Sequence, residues 1–220
     1  MEWMHHRHQQ HQLEEALHEE SVKNHAILDR SIKVVDRCIV WLDGLQRELI
    51  KARGSQDKRG FVYPEGPEGE LGRLTKYSGM RVSVWRTGQT TGLLPRETAQ
   101  FYARLYAQFD KLQELEFRMF EATQARNTYQ ATFASVGRPS VPDILEMTRG
   151  ELIAYTLLVE NNLAAARDLR YRFLFASGAT DAILNGASTD EDVIAAENAA
   201  IESHPDPTAG RKDKPPAQIN

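Results

Sequence analysis

The chain predicts an all-α fold, an elongated antiparallel helical bundle or coiled coil led by a long N-terminal helix. Three observations carry that expectation. Residues 1–53 contain no proline and a single glycine, Gly44. Met4, His11, His18, His25, Ile32 and Ile39 recur at an unbroken seven-residue spacing, which on a helix makes one stripe. Two later segments, beginning near Pro95 and Thr148, carry their own helical periodicity and are separated by glycine- and proline-rich breaks.

The first element is a helix over residues 1–53. Leu28, Ile32, Val35, Ile39, Leu42 and Leu49 step as a heptad seam. Ile27, Val34, Trp41 and Leu45 widen it into the broad face of a bundle helix. Glu19 with Lys23, Asp29 with Lys33 and Asp43 with Arg47 stand four residues apart and support the solvent side. Gly54 is a natural stop. Such a helix runs roughly 75 Å at about 1.5 Å per residue, longer than a compact domain. Apolar residues thin out before Val22, so residues 1 to about 20 are expected to project as an arm.

Residues 54–92 form an irregular, glycine-rich connection. Within it Val82-Ser83-Val84-Trp85 alternates like a strand, but a lone strand has no partner, so a short helix is the better reading. Residues 93–203 complete the bundle. Pro95 suits a first helical position, with Glu97 in the first turn. Phe101, Leu115, Ala122 and Tyr129 make one heptad line, and Leu105, Leu112, Met119 and Phe133 another. Tyr102, Tyr106, Phe109, Phe117 and Phe120 add bulk, so this helix is expected to supply most of the core and to cover the seam of residues 28–49. Residues 137–142 read as a turn. Thr148 with Glu151 is a capping box opening a helix that carries Leu152, Thr156, Val159, Leu163, Ala166, Leu169 and Phe173, with Gly178 as its expected end. Thr189-Asp190-Glu191-Asp192 starts a last short helix through about Glu202. Residues 204–220, with four prolines and mixed charge, read as a disordered tail. Helices joined in series predict antiparallel neighbours.

The composition bounds function more than it names it. With 41% hydrophobic and 26% charged residues, the 220-residue chain can bury a core. A net charge of -4 argues against nucleic acid as a partner, because a polyanion needs a basic surface. The single cysteine, Cys38, excludes a disulfide framework and a cysteine-rich zinc site. No apolar run reaches the ~18 residues of a membrane span, and no leader pattern follows Met1.

No residue pattern calls for catalysis, a cofactor or a metal, and the expectation is a non-enzymatic chain. His5, His8 and His11 share a helix face but lack a fixed ligand set, and read as a solvated stretch. Glu15-Ala16-Leu17-His18 matches one half of a di-iron bundle motif; Glu114, Glu116 and Glu160 have no matching histidine, so a helical-bundle metal enzyme is the weakest alternative. There is no P-loop and no nucleophile elbow. If the N-terminal helix self-associates, His11, His18 and His25 would occupy core-type positions and form a pH-sensitive seam that loosens between roughly pH 7 and 5 as imidazoles charge. The plainer expectation is that these rings are solvated.

Glu2, Trp3 and Arg7, running into a charged helix, together with Leu94-Pro95-Arg96, Tyr102-Ala103-Arg104-Leu105-Tyr106 and Glu116-Phe117-Arg118, resemble segments of uncharacterised bacterial single-pass inner-membrane proteins. In that group an apolar helix precedes the tryptophan motif and an all-helical domain follows; the 220 residues contain no such apolar helix. The resemblance implies an inner-membrane anchor before Met1 and a domain in the periplasm. Without the anchor, the literal reading is a soluble cytoplasmic adaptor. Trp3 independently suits a membrane interface. The expected partner is a second protein, or a second copy, gripped by the N-terminal helix.

Overall fold

The computed structural model describes residues 2–55, 58–67, 79–135, 138–187 and 189–209. They form an all-α bundle led by one long helix. The elements are α1 (Glu2–Gly54), a short 3-10 turn (Lys58–Gly60), α2 (Ser83–Thr91), α3 (Arg96–Ala131), a ribbon of β1 (Ala134–Ser135) and β2 (Arg138–Pro142), α4 (Arg149–Leu184) and α5 (Asp190–Ser203). None of the described helices is long and apolar enough to cross a membrane.

The seam on α1 is buried as its periodicity requires: Leu28, Ile32, Val35, Ile39, Leu42, Leu45 and Leu49 all lie in one core with residues of α3 and α4. Its main cover, however, is α4 rather than the aromatic helix. Three cross-contacts fix the register: His25 meets Asp181, Asp36 meets Arg170 and Asp43 meets Arg167. Rising numbers on α1 meet falling numbers on α4, so the two helices run antiparallel. α3 is antiparallel to α4 as well: Gln108 bonds Arg172, Thr123 bonds Asn162 and Gln130 bonds Tyr155.

α1 and α3 therefore run parallel, Glu20 meeting Tyr106 and Trp41 meeting Arg126. The antiparallel rule holds for helices joined by short turns, and a connection of more than forty residues separates the end of α1 from the start of α3. Part of that connection lies over Trp41. The indole N–H donates to the Pro64 carbonyl at 2.9 Å, and a β-carbon at Gly66 would stand 2.1 Å from the same nitrogen. Only glycine lets the backbone lie this close to the ring.

α4 is the central helix. Leu152, Thr156, Val159, Leu163, Ala166, Leu169 and Phe173 are all buried, as their spacing predicts. The core contribution of α3 is narrower than its aromatics suggest. Its buried stripe runs Tyr102, Leu105, Tyr106, Phe109, Leu112, Leu115, Glu116, Met119, Thr123, Arg126 and Gln130, while Phe117 and Phe120 point to solvent.

Several boundaries differ from the sequence expectation. Gly178 does not end α4, which continues to Leu184; it marks a close crossing where α5 packs on α4. Pro95 is the cap residue before α3 rather than its first residue. Residues 138–142, expected to belong to a turn, form β2 and pair antiparallel with β1. Both capping boxes form, Thr148 with Glu151 and Thr189 with Asp192. The chain after Ser203 is held for several residues: Arg170 donates to the His204 and Pro205 carbonyls, and Arg167 lies 3.5 Å from Asp206. The expected disorder after residue 209 and the glycines of 68–78 lie outside the described residues.

Candidate functional site

The first three turns of α1 project with no cover. Trp3 is 67% and Met4 65% exposed, and the Arg7 guanidinium stands 4.7 Å over the Trp3 ring. A cation above an exposed indole presents one compact surface with an apolar body and a charged rim. His5, His6, His8 and His11 are exposed on the same turns, His11 beside Glu15 at 3.3 Å.

The projecting arm is shorter than its sequence suggests. Cover begins at Leu13, which is half-buried, and Leu17 is fully buried. α2 supplies it. Gly88 of α2 lies against Leu13, and Trp85 inserts between α1 and α3, stacked on Tyr106 with ring centroids 5.2 Å apart. The stripe of histidines accordingly turns from solvent toward the bundle. His18 remains exposed. His25, 28% exposed, has its Nε2 2.8 Å from an Asp181 carboxylate oxygen on α4 and 3.9 Å from Asp29. Within one chain the three rings do not face one another, and His25 faces carboxylates rather than imidazoles.

The most organised polar cluster is one that sequence reasoning did not single out. Glu20 is 3% exposed and accepts from Tyr106 Oη, from Ser83 Oγ at 3.2 Å, and from the backbone N–H groups of Val84 at 3.0 Å and Trp85 at 3.3 Å. It thus caps the N-terminus of α2 from another helix. The residue before that helix, Val82, has no side-chain oxygen to do so. A negative charge there also meets the positive end of the helix dipole. One turn along α1, Asn24 pairs with both backbone groups of Arg81: Nδ2 donates to the carbonyl at 2.8 Å and Oδ1 accepts from the N–H at 2.7 Å. Burial, and then the Glu20 carboxylate it bonds, push the Tyr106 phenol up, so it stays a donor. Burial also raises Tyr102.

The signal for this cluster was present in the heptads. Leu17, Ser21, Asn24 and Leu28 continue the seam by steps of four, three and four, with polar residues at core positions. Buried polar residues on a seam demand hydrogen-bonding partners, and Asn24 finds its own on the backbone of Arg81, just before α2.

A second buried carboxylate, Glu197 on α5, is fully buried and 2.7 Å from Arg104 of α3. Burial pushes its carboxyl up; Arg104 opposes the shift. This pair fastens α5 across the bundle. A groove of about 720 Å³ runs along α1 beside Trp41 and is lined by Val40, Pro64 and Pro207 with Asp36, Arg37 and Arg47. Asp36 is paired with Arg170, and Arg47 with Asp43, so these charges are committed to structure.

Glu114 lies at the surface with Lys111, Glu116 is buried and Glu160 is exposed, so they do not converge with Glu15 and His18. Among the described residues no three His, Cys, Asp or Glu side chains are grouped to hold a metal. Comparison with protein-family models, with curated proteins and with solved structures finds no match to this chain.

Proposed function

We propose that the chain is a non-enzymatic, membrane-proximal helical scaffold that presents the first turns of its N-terminal helix to a protein partner. The single observation carrying this reading is the change along α1. From Leu13 onward the helix is packed into the bundle, while before it Trp3, Met4 and Arg7 are held out on the same rigid rod. Tryptophan, methionine and arginine are enriched at protein interfaces, and tryptophan with arginine suits the headgroup level of a membrane. In this reading the bundle stands on the periplasmic side of an inner-membrane anchor of the kind that the resembling single-pass proteins carry.

A photo-crosslinking amino acid at Met4, introduced into the chain in its source cells and followed by membrane fractionation, tests the reading. The expected result is a discrete adduct to one protein in the membrane fraction. An adduct found only with soluble cytoplasmic protein would favour a soluble adaptor, and no adduct would remove the docking role.

A further inference from the structure

The short helix α2 is poorly equipped to stand alone. It has nine residues, from Ser83 to Thr91, fewer than the ~12–15 at which an isolated helix becomes even marginal in water. It carries Gly88 in its interior and no capping side chain of its own. Its free N–H groups are satisfied by Glu20, a residue more than sixty positions away in the chain. Gly79 and Gly92 bracket it, both at positive φ (68° and 64°), and among the described residues no atom lies within 4 Å of where their β-carbons would be. Positive φ at an uncrowded glycine is a backbone position that can turn without displacing packed side chains.

Among the described residues, what holds α2 down is local: the Glu20 cap, the Asn24 clamp on Arg81, the Trp85 ring on Tyr106 and Tyr102, the packing of Met80, Val82 and Val84, and the contact of Gly88 with Leu13 and Leu94. None of these belongs to the α1–α4 seam or to the α3–α4 interface. Regions with few buried contacts open at lower cost than the core and do so as units. We infer that α2 is a strap that releases as one unit while the three long helices stay packed, with Glu20 as its latch. Release would uncover Leu13, Leu17, Trp85 and Tyr102, extending the accessible face of α1 inward from the arm. The device is a property of the fold and would exist whether or not the arm docks a partner.

Hydrogen-exchange mass spectrometry on the full chain tests it, comparing residues 83–91 with residues 152–174 of α4 in the native protein and in Glu20→Gln. In the native protein, 83–91 should exchange at least about a hundredfold faster than 152–174, as a sub-global unit does. In Glu20→Gln, exchange of 83–91 should rise by about tenfold, the effect of losing one good helix cap, with 152–174 unchanged. Equal rates for the two segments in the native protein would overturn the strap. An unchanged rate at 83–91 in the variant, or a rise shared by both segments, would overturn Glu20 as its latch. If the variant does not fold, the native comparison alone decides the separability of α2.

Discussion

Gly178 on α4 lies directly against the backbone of Glu197 on α5: a β-carbon at 178 would stand 2.7 Å from the Glu197 Cα and 2.5 Å from the Ala196 carbonyl oxygen. Neither neighbour can move aside as a side-chain tip would. The glycine is therefore a packing residue, placed where two helices cross at their closest.

Gly178→Ala should destabilise the protein although alanine is the better helix former. The propensity gain is about 1 kcal/mol and the overpacking cost about 1–3 kcal/mol or more where backbone must shift, so a net loss is expected. Chemical denaturation measures it. A stabilised variant would mean that α5 does not sit on this face.

Glu197 makes stability depend on pH in a defined direction. Burial pushes its folded carboxyl above the ordinary carboxylate range, so the folded state holds the proton more tightly than the unfolded one. Stability is then lost as pH rises from the ordinary carboxylate range through the raised value, and the cost is fully present above it. Other carboxylates titrate nearby with the opposite sign: Glu151 is lowered by its bond to Thr148, and Asp206 by its bonds to Thr208. The readout is therefore the difference between native protein and Glu197→Gln. Melting temperature against pH should fall more steeply, or rise less, in the native protein across that window. Parallel curves would remove the burial of this carboxylate as the cause.

Leu42 is fully buried on the α1 seam under α4. Leu42→Ala should cost about 2–5 kcal/mol, the range for a large-to-small change in a packed core. A loss below about 0.5 kcal/mol would be that of a surface substitution and would place the seam outside the core.

Limited trypsin digestion separates the arm from the clamped part of α1. Arg7 and Lys23 are the first two cleavable residues. Arg7 lies on the uncovered turns, and Lys23 lies between Glu20 and Asn24, which fasten α2. Cleavage after Arg7 should come first, because exposed termini open most readily. Cleavage after Lys23 at the same rate would mean that α2 does not hold this part of the helix.

Much of this architecture is legible in the residues. The seam from Leu28 to Leu49, the line from Leu152 to Phe173, the Thr148–Glu151 capping box and the helix start at Thr189 follow from spacing alone, because heptad burial and cap chemistry are local rules. Which helix covers which is not local. The aromatics of α3 suggested that it covers α1, yet α4, richer in small and aliphatic residues, approaches α1 closely enough to take that place. Gly178 looked like a stop because glycine ends helices more often than it lets them cross; only the position of α5 distinguishes the two. Glu20 was invisible for a related reason. A carboxylate on a charged helix reads as solvated until its partners, sixty residues on, are brought to it. The projecting arm was legible in outline from the thinning of apolar residues, but its inner limit depends on α2 covering Leu13.

The claim on which the rest depends is that the N-terminal helix is built into the bundle antiparallel to α4, in the register that places Asp36 on Arg170. The Arg170 Nε stands 2.5 Å from an Asp36 carboxylate oxygen, and Arg170 is largely buried. A double-mutant cycle of Asp36→Asn and Arg170→Gln, read by equilibrium denaturation, tests that register directly. Residues in contact should show a coupling energy of about 0.5 kcal/mol or more. Strict additivity of the two substitutions would contradict the packing of α1 on α4 described here.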